Sequence, residues 1–176
     1  KTDGPRPTID AIAEYYRARR MAAVVFTVDA RTHLNHEPIS SIEIARAASD
    51  HSDVLIPFGS VDPRTGPAAV DLAARLIEDE GVRGFKFHPT VQGFDPSDET
   101  YHPLWELLQA KRVPALFHTG QTGIGAGLPG GYGLRLGLSN PMLLDPVAAN
   151  FPELQIVMAH PSVPWQDEAL SVATHK

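Results

Sequence analysis

The chain is 176 residues long, 43% hydrophobic and 20% charged, the size and make-up of one globular domain. Its net charge is −6 and its positive residues are scattered, which argues against nucleic acid or an acidic membrane surface as partner. It has no cysteine, so disulfides and thiolate metal sites are excluded and any metal must be held by nitrogen and oxygen.

No apolar run approaches the ~20 residues of a membrane helix, and a cytoplasmic protein is the expectation. The sequence opens Lys1-Thr2-Asp3-Gly4-Pro5, with neither an initiator methionine nor a signal-peptide pattern. At the other end, Ala169 to Lys176 stops within a helical pattern without a cap. The expectation is a piece of a longer protein.

Thr8 caps a predicted helix through Ile9, Ile12, Ala13, Tyr16 and Arg20. Met21 to Val28 is a continuous apolar run ending at Asp29, which reads as a strand buried on both faces. Ser40 or Ser41 starts a helix through Ile44, Ala47 and Ala48. The next strand is Val54 to Val61, closed by Asp62-Pro63, and Pro67 opens a helix that ends at Gly81. Val82 to His88 is a third strand, followed by a polar loop, Pro89 to Glu99, and a helix, Pro103 to Lys111. Pro114 to Thr119 is a fourth strand. Gly120 to Ser139 reads as a long glycine-dense loop with no secondary structure of its own, and Pro141 to Asn150 as a helix. Gln155 to His160 is the fifth strand, and Trp165 to His175 the closing helix.

Strict alternation of strands and helices, without a hairpin signal, implies parallel strands joined by right-handed crossovers. An open doubly wound sheet and part of a (β/α)₈ barrel both satisfy that pattern. A doubly wound nucleotide binder carries a glycine-rich turn after its first strand, and Thr27 to Pro38 has no glycine. The fold expected is therefore α/β, a partial (β/α)₈ TIM barrel of about five consecutive units, against ~250 residues for a whole one. Residues 1–176 form one domain, the interior portion of such a barrel.

Three strands end in imidazole: Gly84-Phe85-Lys86-Phe87-His88-Pro89, Pro114-Ala115-Leu116-Phe117-His118-Thr119-Gly120 and Ile156-Val157-Met158-Ala159-His160-Pro161. One strand-end histidine is an ordinary core residue; three together are a poor match to a coincidental core. Side chains alternate along a strand, so Lys86 and His88 share a face, as do Leu116 and His118. Adjacent parallel strands lie ~5 Å apart, which brings His118 and His160 within reach of one ion or one substrate. Two histidines are too few for a tight site. Asp29 and Asp62 could add ligands, but both precede tight turns, where a structural Asx role competes. Lys86 could bind a substrate carboxylate, pair with an acid or be modified into a metal ligand, and the first two are favoured. His88 should lie nearer solvent, hydrogen-bonding substrate or capping the Pro89 turn. The 120–139 loop suits a lid over the site, with Arg135 available to an anionic substrate, although ordinary loop mobility fits it too. His33, His36, His51, His102 and His175 read as surface residues.

These motifs, with Pro141 to Asp145 and Phe151-Pro152-Glu153-Leu154, resemble the amidohydrolase-related (amidohydrolase 2) family from about Ile9 to Lys176. That family comprises metal-dependent (β/α)₈ enzymes, including aminocarboxymuconate-semialdehyde and resorcylate decarboxylase-like proteins and related hydrolases and hydratases. The resemblance implies that His118, ending strand five, is a metal ligand. It implies that His160, ending strand six, is a ligand or a group that activates water or substrate. The family's first-strand His-x-His pair and the aspartate after its eighth strand are absent from this sequence, and Pro161 and Ser162 stand where glycines are frequent.

The expected function is therefore a metal-dependent hydrolase acting on a small carboxylate-bearing substrate through water activated by a divalent ion, zinc being the expected metal. His118 and His160 would be metal ligands, His160 also the catalytic group, and Lys86, His88 and Arg135 the substrate-binding residues. A lyase of the same family is the alternative, decarboxylating or hydrating an aromatic or muconate-like acid. A non-catalytic scaffold lacking a complete metal site is the reading from another class. Neither nucleic acid nor membrane is expected as a partner, and homo-oligomerisation is left open.

Overall fold

The computed structural model describes residues 7–176; the opening Lys1 to Pro5 lies outside that range. Helix α1 (Ile9–Ala18) starts where expected, because the Thr8 hydroxyl accepts a hydrogen bond from the Ala11 amide at 3.2 Å. Strands β1 (Ala23–Val25) and β2 (Leu55–Pro57) flank a short turn, α2 (Arg31–Leu34), and helix α3 (Ser41–Ser49), whose cap is Ser40. Helix α4 (Pro67–Glu78) leads to β3 (Phe85–Phe87), and α6 (His102–Ala110) to β4 (Ala115–His118). Between β3 and α6 lies α5 (Pro89–Gln92), where the sequence predicts a loop. Helix α7 (Asp145–Asn150), β5 (Ile156–Ala159) and α8 (Gln166–His175) complete the order.

All strand pairs are parallel and join chain neighbours: β1 with β2, β3 with β4, and β4 with β5. A parallel bridge between Gly59 and Phe85 links the first pair to the other three strands. Gly59 is needed there, since a Cβ would stand 3.0 Å from the Phe85 ring. The resulting order, one to five without reversal, is an arc of a barrel. A doubly wound sheet would reverse direction at a switch point.

Alternation assigns the two faces of the arc. Phe85, Phe87, Ala115 and Phe117 are fully buried against Trp105, Leu104, Leu108 and Leu76 on the helices. Phe87 and Phe117 stack at 5.2 Å, with the Trp105 indole edge-on to Phe87 at 5.1 Å. The opposite face carries Lys86, Leu116 and His118. One expectation fails here: β1 is not buried on both faces, since Val24 and Phe26 are 41% and 42% exposed. Ala23 and Val25 pack against α1 and α3, whereas Val24 and Phe26 lie on the face that carries Lys86, so the apolar run alone overstated burial on that side.

Candidate functional site

The site is built at the carboxyl ends of β3, β4 and β5. The register pairs Phe87 with Phe117 and His118 with Ala159, so the residues that follow them converge on one rim. The imidazoles of His88 and His118 stack face to face, centroids 3.8 Å apart and 11° from parallel. His160 meets His118 edge-on at 4.8 Å. A backbone φ of +72° at His160 aims its ring back toward His118 instead of along the strand.

Solvent is largely excluded. Lys86, His88 and His118 are 4%, 6% and 7% exposed, while His160 is open to solvent. Burial pushes the Lys86 amine down to about 8. Burial, the neighbouring His118 ring and Lys86 push His88 down to about 3. Burial and then Lys86 push His118 down to about 4. Neutral imidazoles can stack without charge repulsion and keep a lone pair free. His118 Nε2 lies 3.2 Å from the Gln121 carbonyl. His88 Nδ1 is buried without a hydrogen-bond partner, so the side chain does not cap the Pro89 turn, and His88 is only marginally nearer solvent than Lys86. Among the described residues the Lys86 ammonium has no carboxylate partner; its neighbour is the Phe26 ring, 5.8 Å away.

Asp29 and Asp62 are not ligands to this cluster. Asp29 forms a paired contact with Arg31, and Asp62 accepts from Thr32 and caps Arg64. Arg135 is exposed, and only its carbonyl is engaged, accepting from Thr90 at 3.2 Å. The 120–139 loop holds two short 3-10 turns, Pro129–Gly133 and Leu136–Ser139, where none was expected. Its ends are pinned, because Ser139 bonds Thr90 at 2.7 Å and its carbonyl accepts from Gly120. His33 is half-buried with Nδ1 unpartnered, and His102 packs edge-on against Phe151, so neither is a plain surface residue.

Three polar residues escaped the sequence reading. Gln92, fully buried, donates to the Asp29 and Val61 carbonyls and accepts from the His88 amide, tying together three strand ends. Thr119 and Ser162, also buried, bond each other at 2.7 Å beneath the histidines. Their positions beside and two after the strand-end histidines were the available signal.

The amidohydrolase family profile matches residues 2–176. The chain belongs to the amidohydrolase family. Among solved structures, this amidohydrolase chain is similar to an uncharacterized TIM-barrel protein from Bordetella bronchiseptica. That match has 22% identity and a TM-score of 0.76, covering 95% of this chain and 56% of that one. It is also similar to 5-carboxyvanillate decarboxylase from Novosphingobium aromaticivorans, which holds manganese and a nitrobenzoic acid. There the identity is 23% and the TM-score 0.57, over 74% and 39% of the two chains. An amidohydrolase from Mycobacterium avium subsp. paratuberculosis matches at 17% identity and a TM-score of 0.53, over 94% and 52%. These likenesses show the TIM-barrel fold, and the chain spans about half the length of such relatives. No curated protein matches.

The family implies a divalent metal, and the donor set fits it in part. His118 is a desolvated neutral imidazole with His160 beside it, a nitrogen pair of the kind zinc-like ions accept. His88 lies flat on His118, which presents its face instead of converging its nitrogens. Among the described residues, no group of three or more histidine or carboxylate side chains is placed to hold an ion. The pair is a half-set of ligands.

Proposed function

We propose that the protein is a metal-dependent enzyme acting on a small carboxylate-bearing substrate, hydrolysis being the first reading. The observation that carries it is a buried ammonium, without an acid partner among the described residues, beside neutral, desolvated imidazoles on one barrel rim. His118 and His160 would hold the ion. When bound, zinc or a similar ion would polarise a carbonyl and lower the pKa of water.

The chain's own residues supply the rest. With a pKa of about 8, Lys86 is protonated about ten to one at pH 7 and offers an uncompensated charge to a substrate carboxylate. Such a pair is strong in a dry site, because neither partner competes with water. His88, with Nδ1 unpartnered, is free to hydrogen-bond the same substrate. His160, at the open edge of the cluster, is placed to take or return a proton. Arg135 can reach an anion only from the exposed loop, so its part is selection at entry.

A lyase is the second reading, favoured by the same ammonium. Lys86 would fix a carboxylate directly beside the imidazoles, the arrangement that loss of CO₂ requires. Structural similarity to a decarboxylase supports it at the level of fold.

The test is turnover of aromatic and aliphatic carboxylates, and of their amides and lactones, by protein supplied with zinc or manganese. Ring-opened or deamidated acids support hydrolysis, and released CO₂ supports the lyase. His118→Ala should lower kcat/KM at least about a hundredfold. If it keeps full activity and the protein takes up no stoichiometric metal, a scaffold role replaces both readings.

A further inference from the structure

We infer that the buried hydroxyl pair Thr119–Ser162 is a positioning device that locks His118 and His160 into one two-imidazole unit. The inference rests on the reading of these histidines as a metal pair. Thr119 directly follows His118, and Ala159 directly precedes His160. The Thr119 hydroxyl donates to the Ala159 carbonyl at 2.8 Å. A hydroxyl has one hydrogen to give, so in the 2.7 Å contact between the two hydroxyls Ser162 is the donor. The chain of bonds therefore runs from Ser162 through Thr119 to Ala159, crossing from the turn after β5 to the end of β4 and back. Thr119 and Ser162 are 2% and 0% exposed, so water cannot substitute for either bond.

Something must hold this turn, because its backbone is unusual. His160 and Ser162 both have left-handed φ, +72° and +60°, in residues that bear a Cβ. A return of His160 to ordinary strand geometry would swing its ring away from His118. The clamp opposes that movement on both sides of His160, at Ala159 just before it and at Ser162 two residues after it. It is reinforced where the Gln121 amide donates to the Val163 carbonyl at 2.7 Å. The approach is so close that a Cβ on Gly120 would stand 2.7 Å from the Ser162 backbone.

The experiment compares Thr119→Val, Ser162→Gly and Thr119→Ser with the unaltered protein, using two readouts. One is the nuclear Overhauser contact between the His118 and His160 ring protons in metal-free protein. The other is Co²⁺ affinity, read from its visible absorption. Ser162→Gly removes the hydroxymethyl group at a φ that glycine adopts freely, so the protein should fold and the bond is tested even if Thr119→Val fails to fold. Thr119→Val and Ser162→Gly should lose the ring contact and weaken Co²⁺ binding about tenfold or more. Thr119→Ser, which keeps the hydroxyl, should retain both. A folded Ser162→Gly protein with ring contact and affinity unchanged overturns the proposal, as does failure of Thr119→Ser to retain them. If the unaltered protein binds no Co²⁺, the metal reading falls, and the ring contact alone decides the clamp.

Discussion

Lys86 sits where side-chain chemistry and stability pull apart. A buried ammonium without a partner is destabilising, so Lys86→Met should raise the unfolding free energy by roughly 1–3 kcal/mol in denaturant titrations. The same change should raise KM for a carboxylate substrate while sparing the fold. Equal stability with unchanged KM would remove Lys86 from the site. Its titration adds a second signature. Between about pH 8 and 10.5 the unfolded chain holds a proton that the folded chain has released, so stability rises with pH across that window. The histidines act at the other end. His88 and His118, held down to about 3 and about 4, refuse protons that the unfolded chain accepts below 6.5. Metal-free protein should therefore lose stability as pH falls from 6.5, by up to about 2.7 kcal/mol per unit for two groups. His88→Gln should flatten that slope in denaturation series at pH 6.5, 5.5 and 4.5; an unchanged slope would contradict the assignment. At this scale the sequence showed which residues gather, through strand-end position and alternation. It could not show the His88–His118 stack, because ring orientation depends on packing that no spacing encodes.

The least legible element was α5, a four-residue turn too short to display helical periodicity. Its signature was nevertheless present, with Pro89 at the first helical position and Gly93 in a left-handed conformation just past the end. The turn matters because it carries Gln92. Gln92→Ala would strand two carbonyls and one amide in a dry interior, an expected loss of about 2–4 kcal/mol measurable by thermal or chemical unfolding. Gln92→Glu would replace the double donor with an acceptor facing two carbonyls and should fare no better. A loss below about 0.5 kcal/mol for either variant would mean that the strand ends are tied by other contacts. The long 120–139 segment was recognised as a loop, but its 3-10 turns were not. The first, Pro129–Gly133, runs through left-handed Gly130, Gly131 and Tyr132, a conformation that composition alone does not specify.

For the molecule as a whole, alternating strands and helices were enough to give parallel neighbours in chain order. Amide exchange should rank the strands accordingly: β3 and β4, each paired on both sides, slowest, and β1, paired on one side and half-exposed, fastest. Faster exchange in β4 than in β1 would contradict this core. What the sequence overstated was β1, where an apolar run resembled a central strand but leaves Val24 and Phe26, on the Lys86 face, half-exposed.

The one-to-five order has a consequence for mutational tolerance. Each strand's ladder bonds go to its chain neighbours, but Gln92 reaches from beyond β3 to the Asp29 carbonyl beyond β1, and Phe26 faces Lys86 directly. Between the outer edge of β1 and the strand that carries His118 stand two intervening strands and the single Gly59 junction. A change at the end of β1 nevertheless has a short route to the imidazoles, through Gln92 to the His88 amide. Substitutions early in the first strand should be tolerated, whereas those at Phe26 and Asp29 should be felt at the site.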